Sequence, residues 1–325
     1  MTAFYMLCVA VVLAVLLLGT CAGMLLTATA SFLVDSPKRR DSLLRHPTLL
    51  FSVRVFPFVL GLTLCLGFAL PSFLMLEPRT GAERPGVYVL MLSVISLAGL
   101  TLIVLRSIAS IVVSHKISRE WLRGAARLPL PVAVPVYRIE SPEALIASIG
   151  ILRPRILIGA KALSSLAPGE LQAAICHELT HARLLDNLKE LLLRVTRPPH
   201  WFRLFAFIDA AWRDGAELAA DANALQQGIA ALDLSSAIVK IGRLRLDSLE
   251  VSAVVACHLV SPGHSTALAI RVIRLNALLM GANSLHPRPH RRSLRILLPL
   301  LIIAYITCLP TALPMAHQLI ELLVR

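Results

Sequence analysis

Between Phe4 and Val34 the chain carries no charged residue, and two further stretches, Val55 to Leu76 and Val87 to about Val113, are nearly as clean, broken only by Arg106. An uncharged apolar run of about 20 residues is long enough, as helix, to cross the hydrocarbon of a bilayer. A fourth run, Ile296 to Ile320, contains Pro299, Pro310 and Pro314, which membrane helices tolerate as kinks. Four spans are expected, at about 4–34, 55–76, 87–113 and from 296 into the short tail that ends at 325. The first could instead be read as a cleaved signal peptide ending at Ala28-Thr29-Ala30. Its apolar run is about twice the usual length and has no positive start, which favours a retained helix.

The rest of the composition fits two solvents. Hydrophobic residues make up 57% of the 325-residue chain and charged ones 16%, with a mean hydropathy of +0.75, whereas soluble domains are nearer about 25% charged. The net charge of +13 is not accompanied by a nucleic-acid motif or an aromatic-interleaved basic stripe, so no direct nucleic-acid partner is expected. Its placement is informative instead. Lys38, Arg39, Arg40, Arg45 and Arg54 crowd the first loop against two acids, and 114–295 holds 23 Lys and Arg against 14 Asp and Glu. By the positive-inside rule both chain ends lie outside and the central region lies in the cytoplasm. The six cysteines show no CxxC spacing, so neither a disulfide framework nor a cysteine metal site is implied.

Within the central region, Ser114 to Arg127 reads as a basic helix leaving the third span. The prolines between Leu128 and Ile139 force extended chain, and Ala144 to Ile149 and Arg155 to Ile158 are strand candidates flanking a turn at Gly150 to Pro154. From Pro168 onward the pattern is helical, opened by Pro168-Gly169-Glu170 and interrupted at Pro198-Pro199. The expected fold is thus a mainly α membrane protein, with a small α+β domain at 114–295 inserted between spans three and four.

The chemistry is concentrated in His177-Glu178-Leu179-Thr180-His181. On a helix, residues four apart share a face, so both imidazoles can reach one metal ion. The glutamate one residue on can then hold and deprotonate a metal-bound water. A catalytic Zn²⁺ site needs a third protein ligand and an open position. Asp186, Glu190, His200, Asp209, Asp214, Glu217, Asp221, His258 and His264 are available. Asp186 and Glu190 point further along the motif helix axis and are set aside. Glu217 stands in Ala216-Glu217-Leu218-Ala219-Ala220, where an unpaired buried carboxylate would be costly and metal ligation would satisfy it. Asp221, one turn later, is placed either to support a ligand histidine or to form an ordinary salt bridge. His258 and His264 are weak candidates for a transition-state donor. Cys176 is read as packing, since adjacent helical residues point about 100° apart.

HELTH followed by ELAAD resembles the gluzincin pattern HExxH…ExxxD, and Gly169-Glu170-Leu171 resembles the entry to the motif helix in the HtpX and CAAX-prenyl-protease group. Gly150 to Ile158, His200-Trp201-Phe202 and the order of three spans, protease region and fourth span are similar to the BlaR/MecR-type membrane metallopeptidases. Leu188 to Ala216 is too charged to hold a span, which is where HtpX-like proteins place theirs. Two departures stand out: Arg203 follows Trp-Phe where the family commonly has Asn-Pro, and the chain ends at Arg325, without the penicillin-binding sensor. The resemblance implies a zinc endopeptidase with Glu178 as general base and His177, His181 and Glu217 as ligands. Its substrate would be a cytoplasmic or membrane-proximal protein, such as a transcriptional repressor, in signal transduction or protein quality control. In gluzincins the strand before the motif helix pairs with extended substrate, which nominates Arg155, Ile156, Leu157 and Ile158, although these also read as a core strand. The alternatives are a signalling sensor, or a scaffold with a structural zinc site and little peptidase activity.

Overall fold

The computed structural model describes residues 2–33, 46–78, 85–140, 146–198, 203–249, 271 and 291–324. His200, Trp201, Phe202, His258 and His264 lie outside the described residues.

Among the described residues, three helices are long and apolar enough to cross a membrane. The first, α1 (Thr2–Leu33), is uncharged throughout. The second comprises α2 (Pro47–Thr63), a π-helical turn at Leu64–Ala69 and α3 (Leu70–Leu76). The π turn precedes Pro71, whose missing N–H cannot satisfy the carbonyl four residues back. That carbonyl, on Gly67, accepts a hydrogen bond from the Tyr305 hydroxyl at 2.7 Å. The third, α4 (Val87–Leu122), is continuous from the apolar stretch into the basic segment.

Two expectations are corrected here. The second helix begins at Pro47 rather than near Val55, because Pro47 is well placed at the first helical turn and Leu50, Phe51 and Val53 find apolar neighbours. Arg54 therefore sits on the helix and is only 3% exposed, not in a loop. Likewise α4 stops at Leu122; Gly124 takes φ +75° and Arg127 falls in strand β1 (Ala126–Leu128), so the helix does not extend to Arg127.

The domain that follows opens with four strands, β1, β2 (Val136–Ile139), β3 (Ile146–Ile149) and β4 (Arg155–Gly159), in the spatial order β1-β2-β4-β3. The β2–β4 pair is parallel and the other two are antiparallel. Ile156, Leu157 and Ile158 are wholly buried, because both faces of β4 are covered. On one face Ile156 and Ile158 pack with Ala174, Ile175 and Leu179 of the motif helix. On the other, Leu157 packs with Trp121 and Leu122 from the end of α4. The third apolar helix thus continues directly into the sheet's outer cover.

After the short α5 (Ala160–Ser165), the motif helix α6 (Pro168–Leu184) starts with proline in its first turn. The Glu170 carboxylate accepts the Ala167 backbone N–H at 2.8 Å, which satisfies one of the orphan donors of a helix start. Helix α7 (Asp186–Val195), helix α8 (Arg203–Gln226) and helix α9 (Ala231–Leu249) complete the domain. Cys176 packs with Ala173, Ala224, Leu234 and Ile238, as its reading as a packing residue required.

Helix α10 (Arg291–Val324) is one unbroken element despite its three prolines. It lies on the second apolar helix: Ser72 donates to the Leu313 carbonyl at 3.0 Å, and Ile320 and Val324 join a cluster with Phe4, Leu7 and Phe73.

Helices α2 and α8 are joined at a buried ion pair. Arg54 Nε donates to Asp209 Oδ1 at 2.6 Å and its Nη2 donates to the Leu193 carbonyl at 3.0 Å. The Phe205 ring lies 5.3 Å from the guanidinium carbon. Arg197 approaches the second Asp209 oxygen at 3.5 Å. Around the pair, Leu50 of α2 packs with Leu193, Ile208 and Trp212.

Candidate metal centre

His177 and His181 project from one face of α6, and their Nε2 atoms are 3.2 Å apart. Glu217 comes from α8 to meet them, with Oε2 3.4 Å from His177 Nε2 and Oε1 3.5 Å from His181 Nε2. Two ligand atoms each about 2.05 Å from a tetrahedral ion stand about 3.3 Å apart, so all three separations have the span of a metal-ligand set. Among the described residues, these three form a group whose ligand atoms converge within 4.8 Å.

The outer atoms of both rings also have partners. Asp186 Oδ2 lies 2.8 Å from His181 Nδ1 and Asp221 Oδ1 lies 3.0 Å from His177 Nδ1. The second contact is at ion-pair distance but out of line for a hydrogen bond. A carboxylate beside Nδ1 holds the imidazole proton there, leaving Nε2 with its lone pair. Two such nitrogens and a carboxylate oxygen at these distances repel one another unless a cation, a proton or a metal ion, lies between them. Burial pushes the His177 ring down, yet Asp221 and then Glu217 more than offset it and raise it to about 10. The same negative field pulls a metal cation in.

Leu185 explains how Asp186 reaches His181. In a continuous helix a residue five positions on points about 140° away. Here α6 ends at Leu184, and Leu185 takes φ 54°. A branched residue in this left-handed region costs roughly 1–2 kcal/mol, and the turn swings Asp186 back under the motif. Lys189 then holds the other Asp186 oxygen at 2.8 Å. A straight helix axis would carry Asp186 away from the motif, and no periodic signal in the sequence reveals the break.

Two of the other acidic candidates are engaged elsewhere: Asp209 with Arg54 and Glu190 with Arg213 at 2.7 and 3.0 Å. Glu217 is not the unpaired carboxylate that its apolar surroundings implied, because Arg271 reaches it at 2.7 Å. Arg271 also grips both Asp221 oxygens, through Nε at 2.8 Å and Nη2 at 2.7 Å. It escaped notice in the sequence, being 50 positions beyond Asp221 in an apolar segment.

Glu178 turns from the histidines toward the sheet, where its Oε2 accepts the Ser148 backbone N–H at 2.8 Å. This contact corrects the expectation for the substrate strand. β4, with Arg155 to Ile158, is paired on both sides and presents no free edge. The edge beside the motif helix is β3. Its Ser148 carbonyl accepts from the Asn187 side chain at 3.1 Å, and the Gly150 carbonyl accepts from the same amide at 3.0 Å.

Residues 83–230 match the family model described as BlaR1 peptidase M56. This central region is of the BlaR/MecR type. The match bears out the BlaR/MecR resemblance seen in the sequence and does not extend to the HtpX one. In this BlaR1-like region fall α4, the sheet, the motif helix, Glu217 and Asp221, while Arg271 lies beyond its end. No curated protein and no solved structure matches the chain significantly. In this match and in its long apolar helices the chain is similar to a membrane peptidase.

Proposed function

We propose that the chain is a zinc-dependent endopeptidase, anchored by α1, the second and third apolar helices and α10, that cleaves a protein segment at the cytoplasmic face of the membrane. The observation that carries this reading is the convergence of His177 Nε2, His181 Nε2 and Glu217 on one point, with Glu178 one residue along the same helix. Two nitrogens and one carboxylate oxygen are the donor set of a catalytic zinc that keeps its fourth position open. Held by these three residues, a zinc ion would supply Lewis acidity toward a scissile carbonyl and an attacking water. Glu178 takes the proton of that water and passes it to the leaving amine. Asp186 and Asp221 hold the two imidazoles in the tautomer that presents Nε2. The β3 edge at Ser148 receives the extended substrate backbone by strand addition, and Asn187 and Glu178 are the side chains the substrate meets there.

The ligand roles are tested by metal content. Purified full-length protein is expected to retain about one zinc per chain, and His177→Ala or His181→Ala to lose it. Glu217→Gln should weaken binding, with partial recovery in excess zinc. Stoichiometric zinc in the His177→Ala/His181→Ala double variant refutes the site.

Compartment follows from the charges of the first loop, which with 114–295 and the peptidase domain is assigned to the cytoplasm. A reporter fused after Arg325 should therefore read the outside and one inserted near Pro262 the cytoplasm. The reverse pattern would move the site to the other compartment and change the class of substrate. A repressor protein is the substrate this placement favours, as a soluble cytoplasmic target within reach of a membrane-bound enzyme.

A further inference from the structure

Among the described residues, Arg271 is a cation in direct contact with one of the three converging groups, and its side chain is only 12% exposed. Its donors are divided between two carboxylates on one face of α8. Nη1 takes Glu217 Oε2 at 2.7 Å, while Nε and Nη2 take the two Asp221 oxygens at 2.8 and 2.7 Å. Two carboxylates one helical turn apart repel each other, and a planar guanidinium can bridge them in a way a point-charge ammonium cannot. The division of oxygens is specific. With Oε2 engaged by Arg271, Glu217 has Oε1 left to meet a metal beside His181, 3.5 Å away. The Asp221 oxygen nearest His177 Nδ1, at 3.0 Å, is the one held by Nη2.

Resting on the zinc reading above, we propose that Arg271 is a positioning residue of the metal site, which presents Glu217 through a single oxygen and locks Asp221 against His177. It acts through these two carboxylates and does not touch the metal.

The test is zinc(II) affinity of the full-length protein, measured by competition with a chelating dye. Arg271→Gln should bind zinc about 10- to 100-fold more weakly, the usual cost of removing an outer partner of a metal ligand. Arg271→Lys should lose less, since charge remains without the fork. In an Asp221→Asn background the Arg271→Gln loss should shrink, because the two residues act as one unit. Wild-type affinity in Arg271→Gln, or an undiminished loss in the Asp221→Asn background, overturns the role. So does tighter zinc binding, which would make Arg271 a competitor for Glu217. If Arg271→Gln does not fold, Arg271→Lys decides: affinity equal to wild type overturns the proposal. Wild-type protein that takes up no zinc sinks the metal reading itself, and this role with it, an outcome distinct from all the others.

Discussion

Glu178→Gln is expected to keep zinc near the wild-type level while turnover falls by about 10² to 10⁴-fold, the usual worth of a positioned general base. The amide has the size of the carboxylate and can still accept the Ser148 N–H that now holds Glu178 at 2.8 Å, so the side chain should stay in place. What it loses is basicity. The comparison needs both readouts, zinc by elemental analysis and cleavage of a peptide or protein substrate. Zinc lost together with activity would mean that Glu178 serves the metal rather than the water. Activity retained would assign the proton transfer to another group and leave a structural metal site as the better reading.

The second large effect is expected far from the metal. Removing one partner of a buried ion pair strands the other charge and typically costs about 3–5 kcal/mol. Asp209 is fully buried and Arg54 is 3% exposed, so little water can enter to compensate. Arg54→Met should cost about 3 kcal/mol, at the lower end of that range, because Arg197 stands 3.5 Å from the stranded carboxylate. Asp209→Leu should cost more, since the Arg54 guanidinium then keeps the Leu193 carbonyl, the distant Thr196 hydroxyl and the Phe205 ring but loses the carboxylate that neutralises it. The double variant should recover much of the loss, because two apolar side chains suit the cluster of Leu50, Leu193, Ile208 and Trp212. Unfolding of the full chain in detergent reads all three. Single variants within about 1 kcal/mol of wild type would show water reaching the pair, as at exposed ion pairs.

Local spacing made much of this site legible. The face shared by His177 and His181 follows from the helical period alone, and so does the face shared by Glu217 and Asp221. The three apolar helices follow from the lengths of their uncharged runs. What escaped depends on tertiary placement. Asp186 reaches His181 only because Leu185 leaves the helical region, and a leucine carries no signal of that. Arg54 looked like a loop charge because its partner Asp209 is 155 positions away. The apolar run at Arg155 to Ile158 marks a buried strand correctly. Which strand is left with an open edge depends on the order in which strands pair, and β4 lies between β2 and β3. Arg271 is the plainest case, since nothing in its neighbourhood sets it apart until α8 is beside it.

Helix α8 carries Asp209 near one end and Glu217 eight positions later, about 12 Å along the axis at 1.5 Å per residue. One point is pinned to a helix of membrane-spanning length and the other faces two histidines on a separate helix. Such an arrangement is a lever with its fulcrum on α2. Metal and catalytic constellations tolerate about 0.5 Å of misplacement, and over that arm a swing of only about 2–3° uses it up. The fit of the carboxylate to the two imidazoles is therefore coupled to the position of α2. Whatever tilts that helix would be felt, ångström for ångström, at the candidate metal centre.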